Sequence, residues 1–307
     1  MRLSQLRVLL AVADHGGFTA AAERMGISQP AVSRAVASLE SELGARLVVR
    51  GRDGVRLTEP GRRAVAHARE AVRHFDLVRT EVAAATGEVT GELRLASLPT
   101  ATGALLTPRI AEFTDRHPRV RVRLLEGFDR DVRAWLERGA VEAGVVTLPA
   151  PGLDVVELGS DEMVALLPAG HPLADAPAVP VPALAKEPFI LSTGGCRPLV
   201  RQAARQAGVE LDVAFEAAEL SAIATMVGSG LGVSIAPTLG RGAWQNTEGA
   251  VVARPLHPPL RRTLALAFSP ARAGVADLSP AVRAFRRLVR DHAEPGPVRP
   301  APVQRPV

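Results

Sequence analysis

The sequence predicts an α/β protein with a small helical domain at the N-terminus, one long helix, and a larger domain of alternating strands and helices. Three observations predict this class. Apolar residues recur at helical spacing over residues 3–43, one apolar stripe runs through residues 59–88, and strand-like segments alternate with helix-like segments from residue 91. A chain of 307 residues is also longer than a single core usually holds.

The first domain, residues 1–58, is predicted to begin with three short helices. Apolar side chains repeat from Leu3 until Gly16-Gly17 end the pattern. We expect the second helix to run from Thr19, as its N-cap, to Met25. Gly26 then supplies a sharp turn towards the third helix.

Ser28 is predicted to cap the third helix, with Gln29 and Pro30 in its first turn, where proline costs no hydrogen bond. Its expected buried stripe is Val32, Ala35, Val36, Leu39 and Leu43. Two strand-like pieces follow at residues 46–50 and 54–57, and they predict a hairpin, or wing.

Residues 59–88 are predicted to form one long helix that begins after Thr58. Its apolar seam consists of Val65, Ala68, Val72 and Phe75, and it continues through Val82. A helix of this length with a single apolar stripe needs a partner, either its own domain or a second copy of the chain. We favour self-association, as a dimer or a tetramer.

The second domain, residues 91–292, alternates strands with helices and therefore predicts βαβ units and a mostly parallel sheet. Two such sets indicate two subdomains with a cleft between them. We expect subdomain I at about residues 91–162 and 267–292, and subdomain II at about residues 163–266. The proline-rich segment 293–307 is predicted to be disordered.

The outer face of the third helix carries side chains suited to nucleic acid. Gln29 can pair with adenine and Arg34 with guanine, while Ser28 and the helix N-terminus can hold a phosphate. Residues 1–63 contain ten arginines and six acidic residues, within a chain of net charge +5. The predicted DNA-binding residues are Ser28, Gln29, Pro30, Ser33, Arg34, Arg50, Arg52 and Arg56. Each of them alone would be read as an ordinary solvated residue, so the prediction depends on their spacing together.

Several segments closely resemble the LysR-type transcriptional regulators. At the N-terminus these are residues 18–34, 39–47 and 55–61, and in the second domain residues 171–174 and 227–237. The resemblance implies a winged helix-turn-helix that binds promoters and pairing through the linker helix. It also implies a two-subdomain effector domain similar to type 2 periplasmic binding proteins. In such regulators an inducer in the cleft changes the spacing of the DNA-binding domains and their contact with RNA polymerase.

An effector site is predicted in the cleft, because ligands of open α/β sheets bind at the carboxyl ends of strands. Hydroxyls and first-turn amides there suit a small carboxylate, although Ser and Thr also cap helices routinely. The predicted effector-binding residues are Ser97, Pro99, Thr100, Ala101, Thr102, Thr147, Ser192, Thr193 and Gly194.

Two other classes of protein were weighed, an enzyme and the solute-binding protein of a transporter. The sequence has no nucleophile elbow, Walker motif or dinucleotide fingerprint, so we expect no enzyme and no cofactor. No signal peptide or membrane-length apolar stretch is evident, which predicts a cytoplasmic protein without a membrane partner. The histidines lack metal-site spacing, so no metal is expected.

Cys196 is the single cysteine, so the chain can form no internal disulfide. The resemblance implies that oxidant-sensing members of the family use paired cysteines. We therefore expect Cys196 to be a buried, inert thiol.

Overall fold

The computed structural model describes residues 1–51, 54–245, 247, 249–269 and 278–292, apart from the Arg50 side chain. It contains two compact units, Met1–Gly87 and Glu88–Val307. Within the described ranges, no helix is both long enough and apolar enough to cross a membrane.

The first unit contains three helices, a hairpin and a long helix, in the predicted order. The elements are α1 (Leu3–His15), α2 (Phe18–Met25), α3 (Gln29–Leu43), β1 (Val48–Gly51), β2 (Gly54–Leu57) and α4 (Glu59–Ala85). Their core gathers one face of each helix, with Leu9, Val12, Val32 and Leu39 fully or almost fully buried.

Two details of these helices differ from the predictions. Helix α2 begins at Phe18 after an extended Gly17, so Thr19 lies inside the helix and is not its N-cap. Leu43 was expected in the buried stripe of α3 but is 45% exposed, because it lies in the last turn beyond the core.

Contacts to backbone atoms fix the wing, formed by β1 and β2, and helix α4 to the rest of the first unit, which we call the head. Glu40 Oε1 accepts hydrogen bonds from the amides of Leu47 (2.7 Å) and Val48 (3.1 Å), so the end of α3 sets the start of β1. A Cβ atom on Gly61 would lie 1.9 Å from the carbonyl oxygen of Leu47. The first turn of α4 can therefore pack here only with glycine.

The two halves of helix α4 differ in how far their apolar side chains are buried. Its first half packs into the head core through Val65 and Ala68. Further along, the predicted seam is open, since Phe75, Val78 and Val82 are 54%, 63% and 64% exposed. The first half of α4 thus packs on its own unit, whereas the apolar residues of the second half are exposed.

The second unit alternates strands and helices. Its first half contains β3 (Gly91–Ser97), α5 (Pro99–Ala101), a π-helical turn (Thr102–Leu106), α6 (Thr107–Arg116), β4 (Val120–Glu126), α7 (Asp129–Glu137), β5 (Ala143–Thr147) and β6 (Val155–Pro168). The second half contains β7 (Val179–Pro180), α8 (Val181–Leu184), β8 (Phe189–Ser192), α9 (Arg197–Gln206), β9 (Val213–Ala217), α10 (Leu220–Gly228), β10 (Ser234–Pro237), a 3₁₀ turn (Thr238–Gly240), α11 (Gly242–Gln245), β11 (Val251–Phe268) and α12 (Pro280–Asp291).

The main sheet is mixed, so the prediction of a mostly parallel sheet was only partly correct. In the described residues the strand order is β10-β6-β11-β5-β3-β4, with β7 beside β11 and a separate β8-β9 pair. Strand β3 is parallel to β4 and β5, whereas β11 is antiparallel to β5 and β6. The sequence pattern predicts strands only at residues 163–167 and 264–268, which are the apolar ends of β6 and β11, because the middle parts of both strands carry charged residues.

Strands β6 and β11 pass through both lobes of this unit. The first lobe, around β3, β5, α6 and α12, has its own core, where Phe113 meets Phe285 edge to face. The second lobe packs around β8, β10, α9 and α10. Strand β6 changes lobe between Leu158 and Met163, and β11 changes between Leu260 and Leu264. Strand β11 therefore enters the first lobe a few residues before residue 267, where subdomain I was expected to resume, because Leu264 and Leu266 already pack in the first lobe.

Candidate functional site

The first turn of α3 presents its side chains outward. Ser28, Pro30 and Arg34 are exposed, and Gln29 and Ser33 are half-buried. Ser28 occupies the N-cap position as predicted, but its side chain makes no capping hydrogen bond. Within the described part of the chain, Arg34 has no hydrogen-bond or ion-pair partner. The predicted recognition residues thus stay available to an external ligand.

The wing adds one described arginine to the predicted DNA-binding residues. Arg56 of β2 is exposed. The Val55 amide donates to the carbonyl oxygen of Gly16 at 3.0 Å, which ties β2 to the end of α1. The Arg50 side chain and Arg52, which were also predicted to bind DNA, lie outside the described residues.

A cavity of about 330 Å³ opens in the second unit. Four of the predicted effector-binding residues line it, namely Pro99, Thr100, Ser192 and Gly194. The rest of its wall is largely apolar, and it comprises residues such as Leu98, Phe128, Leu220, Pro237, Leu239 and Ala243. An apolar wall with a few polar groups is the usual chemistry of a small-molecule site.

Five predicted residues do not line this cavity. Ser97 and Ala101 are fully buried in the first lobe. Thr102 donates its hydroxyl to the Leu98 carbonyl oxygen at 3.2 Å. The Thr147 amide donates to Asp129 Oδ1, and the Thr193 amide donates to the Ala217 carbonyl oxygen. Strand alternation and helix capping decide these orientations, and the local sequence does not distinguish a capping hydroxyl from a binding one.

Sequence analysis missed the most connected residue of the cavity, Arg262. Its Nε and Nη2 atoms donate to Asp161 Oδ2 at 2.9 and 2.7 Å, and Nη2 also donates to Thr100 Oγ1 at 2.9 Å. Its Nη1 atom donates to Cys196 Sγ at 3.3 Å. Both side chains of the ion pair are almost fully buried, at 3% exposure for Arg262 and 0% for Asp161.

Asp161 is satisfied on its other oxygen as well. Its Oδ1 atom accepts from Thr238 Oγ1 at 2.7 Å and from the Leu239 amide at 3.1 Å. The guanidinium charge in the cavity wall is therefore already balanced. The sequence around Arg262 did not indicate its role, because its pairing with Asp161 depends on the register between β11 and β6.

Cys196 lies at the N-cap of α9 and lines the same cavity. Burial raises the pKa of its thiol above the ordinary value, and the nearby charge of Arg262 offsets only part of this effect. The thiol is therefore protonated at neutral pH. In the described residues no group of side chains is arranged to hold a metal ion.

Comparison with known proteins assigns a family to each of the two units. Residues 3–62 match the family "Bacterial regulatory helix-turn-helix protein, lysR family". Residues 86–294 match the "LysR substrate binding domain" family. The chain belongs to the LysR family. It is a DNA-binding transcriptional regulator with an effector-binding domain, and not an enzyme.

Relatives cover nearly the whole chain. A probable transcriptional regulator, LrrA of Synechococcus elongatus, is 38% identical over 95% of this chain and 98% of its own. The dual regulator OxyR of Escherichia coli is 30% identical over 92% of this chain and 95% of its own. A solved full-length OxyR variant from Pseudomonas aeruginosa is 27% identical, with a TM-score of 0.74 over 95% of this chain and 94% of that one.

Replacement of Arg34 should weaken specific DNA binding. We expect Arg34→Ala to cost about 1–3 kcal/mol on the operator and to relax sequence preference, because a bidentate base contact is lost. Gel shift with the intergenic DNA upstream of the gene measures this effect. The control is Arg205→Ala, which removes the same charge from an exposed position on α9 in the other unit. Equal losses in both variants, or equal wild-type affinity for operator and scrambled DNA, would contradict the assignment.

Proposed function

We propose that α3 enters the major groove of promoter DNA and that Gln29, Ser33 and Arg34 read base edges there. The observation that carries the proposal is that Arg34 is exposed, and Gln29 and Ser33 partly exposed, at the start of the helix. Ser28, Pro30 and Arg56 lie where they can meet the phosphate backbone, and we assign the same role to Arg50 and Arg52 from the sequence.

We propose that the cavity binds a small effector with an apolar body and one acceptor group, such as a carboxylate. The apolar wall supports the first feature. The hydroxyls of Thr100, Ser192 and Ser221, together with the start of α10, support the second. Because Asp161 already neutralises the charge of Arg262, an anion would be held by hydrogen bonds from hydroxyls, amides and the guanidinium that lines the cavity, and not by an unpaired positive charge. Glu219 also lines the cavity and disfavours negative charge, so charge must be tested directly.

A thermal-shift screen of small carboxylates, each paired with its uncharged amide, tests this proposal. A true effector at a hundred times its Kd should stabilise the protein by about 2.7 kcal/mol. We expect the carboxylate to shift the melting temperature more than its amide. Thr100→Val should reduce the shift, whereas Thr102→Val should keep it, because Thr102 does not line the cavity. Equal shifts for acid and amide would contradict the carboxylate, and identical behaviour of the two variants would contradict the site.

We also propose that the chain pairs with a second copy through the second half of α4. The support is the exposed apolar row of Phe75, Val78 and Val82, which continues a seam that is already buried nearer the head. Two-fold pairing places two DNA-binding heads on one palindromic site. A solved relative, CbnR, was crystallised with its target DNA, which supports the DNA part of this picture.

Charge on that row should break the pairing. We expect Val78→Glu to weaken self-association at least about tenfold, because a carboxylate would be buried without a partner. Val78→Leu keeps the apolar surface and should leave association unchanged. Sedimentation velocity over a concentration series distinguishes the two. A wild-type chain that remains monomeric, or equal association of both variants, would contradict the proposal.

Two further proposals complete the function. The protein acts in the cytoplasm, and its effector-dependent changes at the promoter reach transcription through RNA polymerase. The support is the family's winged helix-turn-helix joined to an effector domain. A reconstituted transcription reaction with purified polymerase tests the second point, since added regulator should change transcript yield from its own promoter.

A peroxide response is the second candidate, because several relatives carry the name hydrogen peroxide-inducible genes activator. The observation in its favour is that Cys196 lines the cavity beside Arg262. The raised pKa of the thiol opposes it, since the thiolate is the reactive form. The chain also has no second cysteine with which to form a disulfide.

We therefore expect Cys196 to react slowly. Alkylation by iodoacetamide at pH 7 should be slower than that of the same cysteine in the unfolded chain, and the difference should narrow as the pH rises towards the raised pKa. Hydrogen peroxide should leave promoter binding unchanged in the wild type and in Cys196→Ser alike. A loss or gain of binding on peroxide treatment that Cys196→Ser abolishes would favour the peroxide response.

A further inference from the structure

Arg262 and Asp161 lie at the point where both crossing strands pass between the lobes. They are direct partners in the register of β11 and β6. Asp161 lies between Leu158 in the first core and Met163 in the second, and Arg262 lies between Leu260 and Leu264. The buried ion pair thus joins the two strands where they leave one core and enter the other.

The remaining bonds of Arg262 reach outward to both lobes. Thr100, which accepts from Nη2, follows β3 and adjoins Ala101 in the first core. Cys196, which accepts from Nη1, belongs to the second core. One planar guanidinium therefore contacts the crossing strand β6, the first lobe and the second lobe at the same time. A rotation of one lobe against the other cannot keep all of these distances.

Two of these contacts are open to an occupant of the cavity. Thr100, Cys196 and Arg262 all line it, whereas Asp161 does not. A ligand acceptor that takes the Nη2 hydrogen competes with the bond from the guanidinium to Thr100. The ion pair itself is anchored from behind by Thr238 and the Leu239 amide, so it stays in place.

We propose that Arg262 is the positioning residue that couples occupancy of the cavity to the angle between the two lobes, with Asp161 as its fixed anchor. This inference rests on the proposed effector function of the cavity and assigns its means of regulation. The Arg262–Asp161 pair holds the hinge, and the bond to Thr100 sets the resting angle. An effector that takes this bond releases the first lobe.

Hydrogen exchange on the full-length, effector-free protein tests the coupling. Thr100→Val removes the acceptor at nearly constant size and imitates an occupant that takes the bond. We expect the amides of residues 159–163 and 260–263 to exchange about tenfold faster, the order expected for the loss of a hydrogen bond to a charged group. Amides of the β3–β4 pair, which lies away from the crossing, should not change.

Thr102→Val is the matched control, since its hydroxyl donates to the Leu98 carbonyl oxygen and does not contact Arg262. Arg262→Lys is the second variant, because a lysine keeps the charge beside Asp161 but loses the planar fork. It should also speed exchange at both crossings. If Thr100→Val and Thr102→Val change only their own turn and leave both crossings at the wild-type rate, the coupling is overturned.

The bend angle of promoter DNA in the complex gives a second measurement. It should stay unchanged if the bond between Arg262 and Thr100 has only a structural role. We expect Thr100→Val to change the bend angle of promoter DNA in a circular-permutation gel, and Thr102→Val to leave it at the wild-type value. An unchanged bend in Thr100→Val would overturn the link from hinge to promoter. Absence of any promoter binding by the wild type would instead count against the proposed function, and hydrogen exchange would still decide the hinge.

Discussion

The ion pair between Arg262 and Asp161 is the constraint on which the effector-binding unit depends. It joins the two strands that connect both lobes, and it contributes to the wall of the cavity. To bury two charges is expensive, and the cost is offset only when every donor and acceptor finds a partner. Here Asp161 uses both oxygens, and Arg262 makes four hydrogen bonds to three other residues and itself takes part in the strand ladder.

An apolar pair of similar size would often stabilise a fold equally well, whereas removal of one charged partner costs about 3–5 kcal/mol. The ion pair adds a fixed orientation that an apolar pair does not provide. A guanidinium offers donors in a fixed plane, so it can define the relation between parts that apolar contacts would allow to slide. This makes the same residue suitable both as a structural anchor and as a contact for a ligand.

The DNA-binding head has a different requirement. One face of the short helix α3 must be buried while its polar side chains stay outside. The wing is held by the Glu40 carboxylate, which binds the start of β1, and by the Gly16 carbonyl oxygen, which binds β2. Among the described residues Arg34 and Arg56 take no part in these contacts. Their exposure is thus the result of the packing and leaves them available to DNA.

The sequence alone determined the order of elements and the class of the protein. Helical periodicity, Gly26, the N-cap position of Ser28 and the apolar stripe of α4 are local signals, and local backbone preferences are enough to express them. The outward face of α3 followed from the same periodicity, because the buried positions of a helix define the exposed ones.

Tertiary structure decided the mixed sheet and the composition of the cavity. Strands β6 and β11 carry charged residues in their middle, so their true length is visible only once Asp161 and Arg262 satisfy each other across the ladder. Ser97 and Thr102 carry the same hydroxyl group as Thr100, yet their hydroxyls donate to the Leu98 carbonyl oxygen. Contacts between residues more than sixty positions apart, such as Arg262 with Cys196, bring the site together, and nothing in a single sequence fixes which strands will lie side by side.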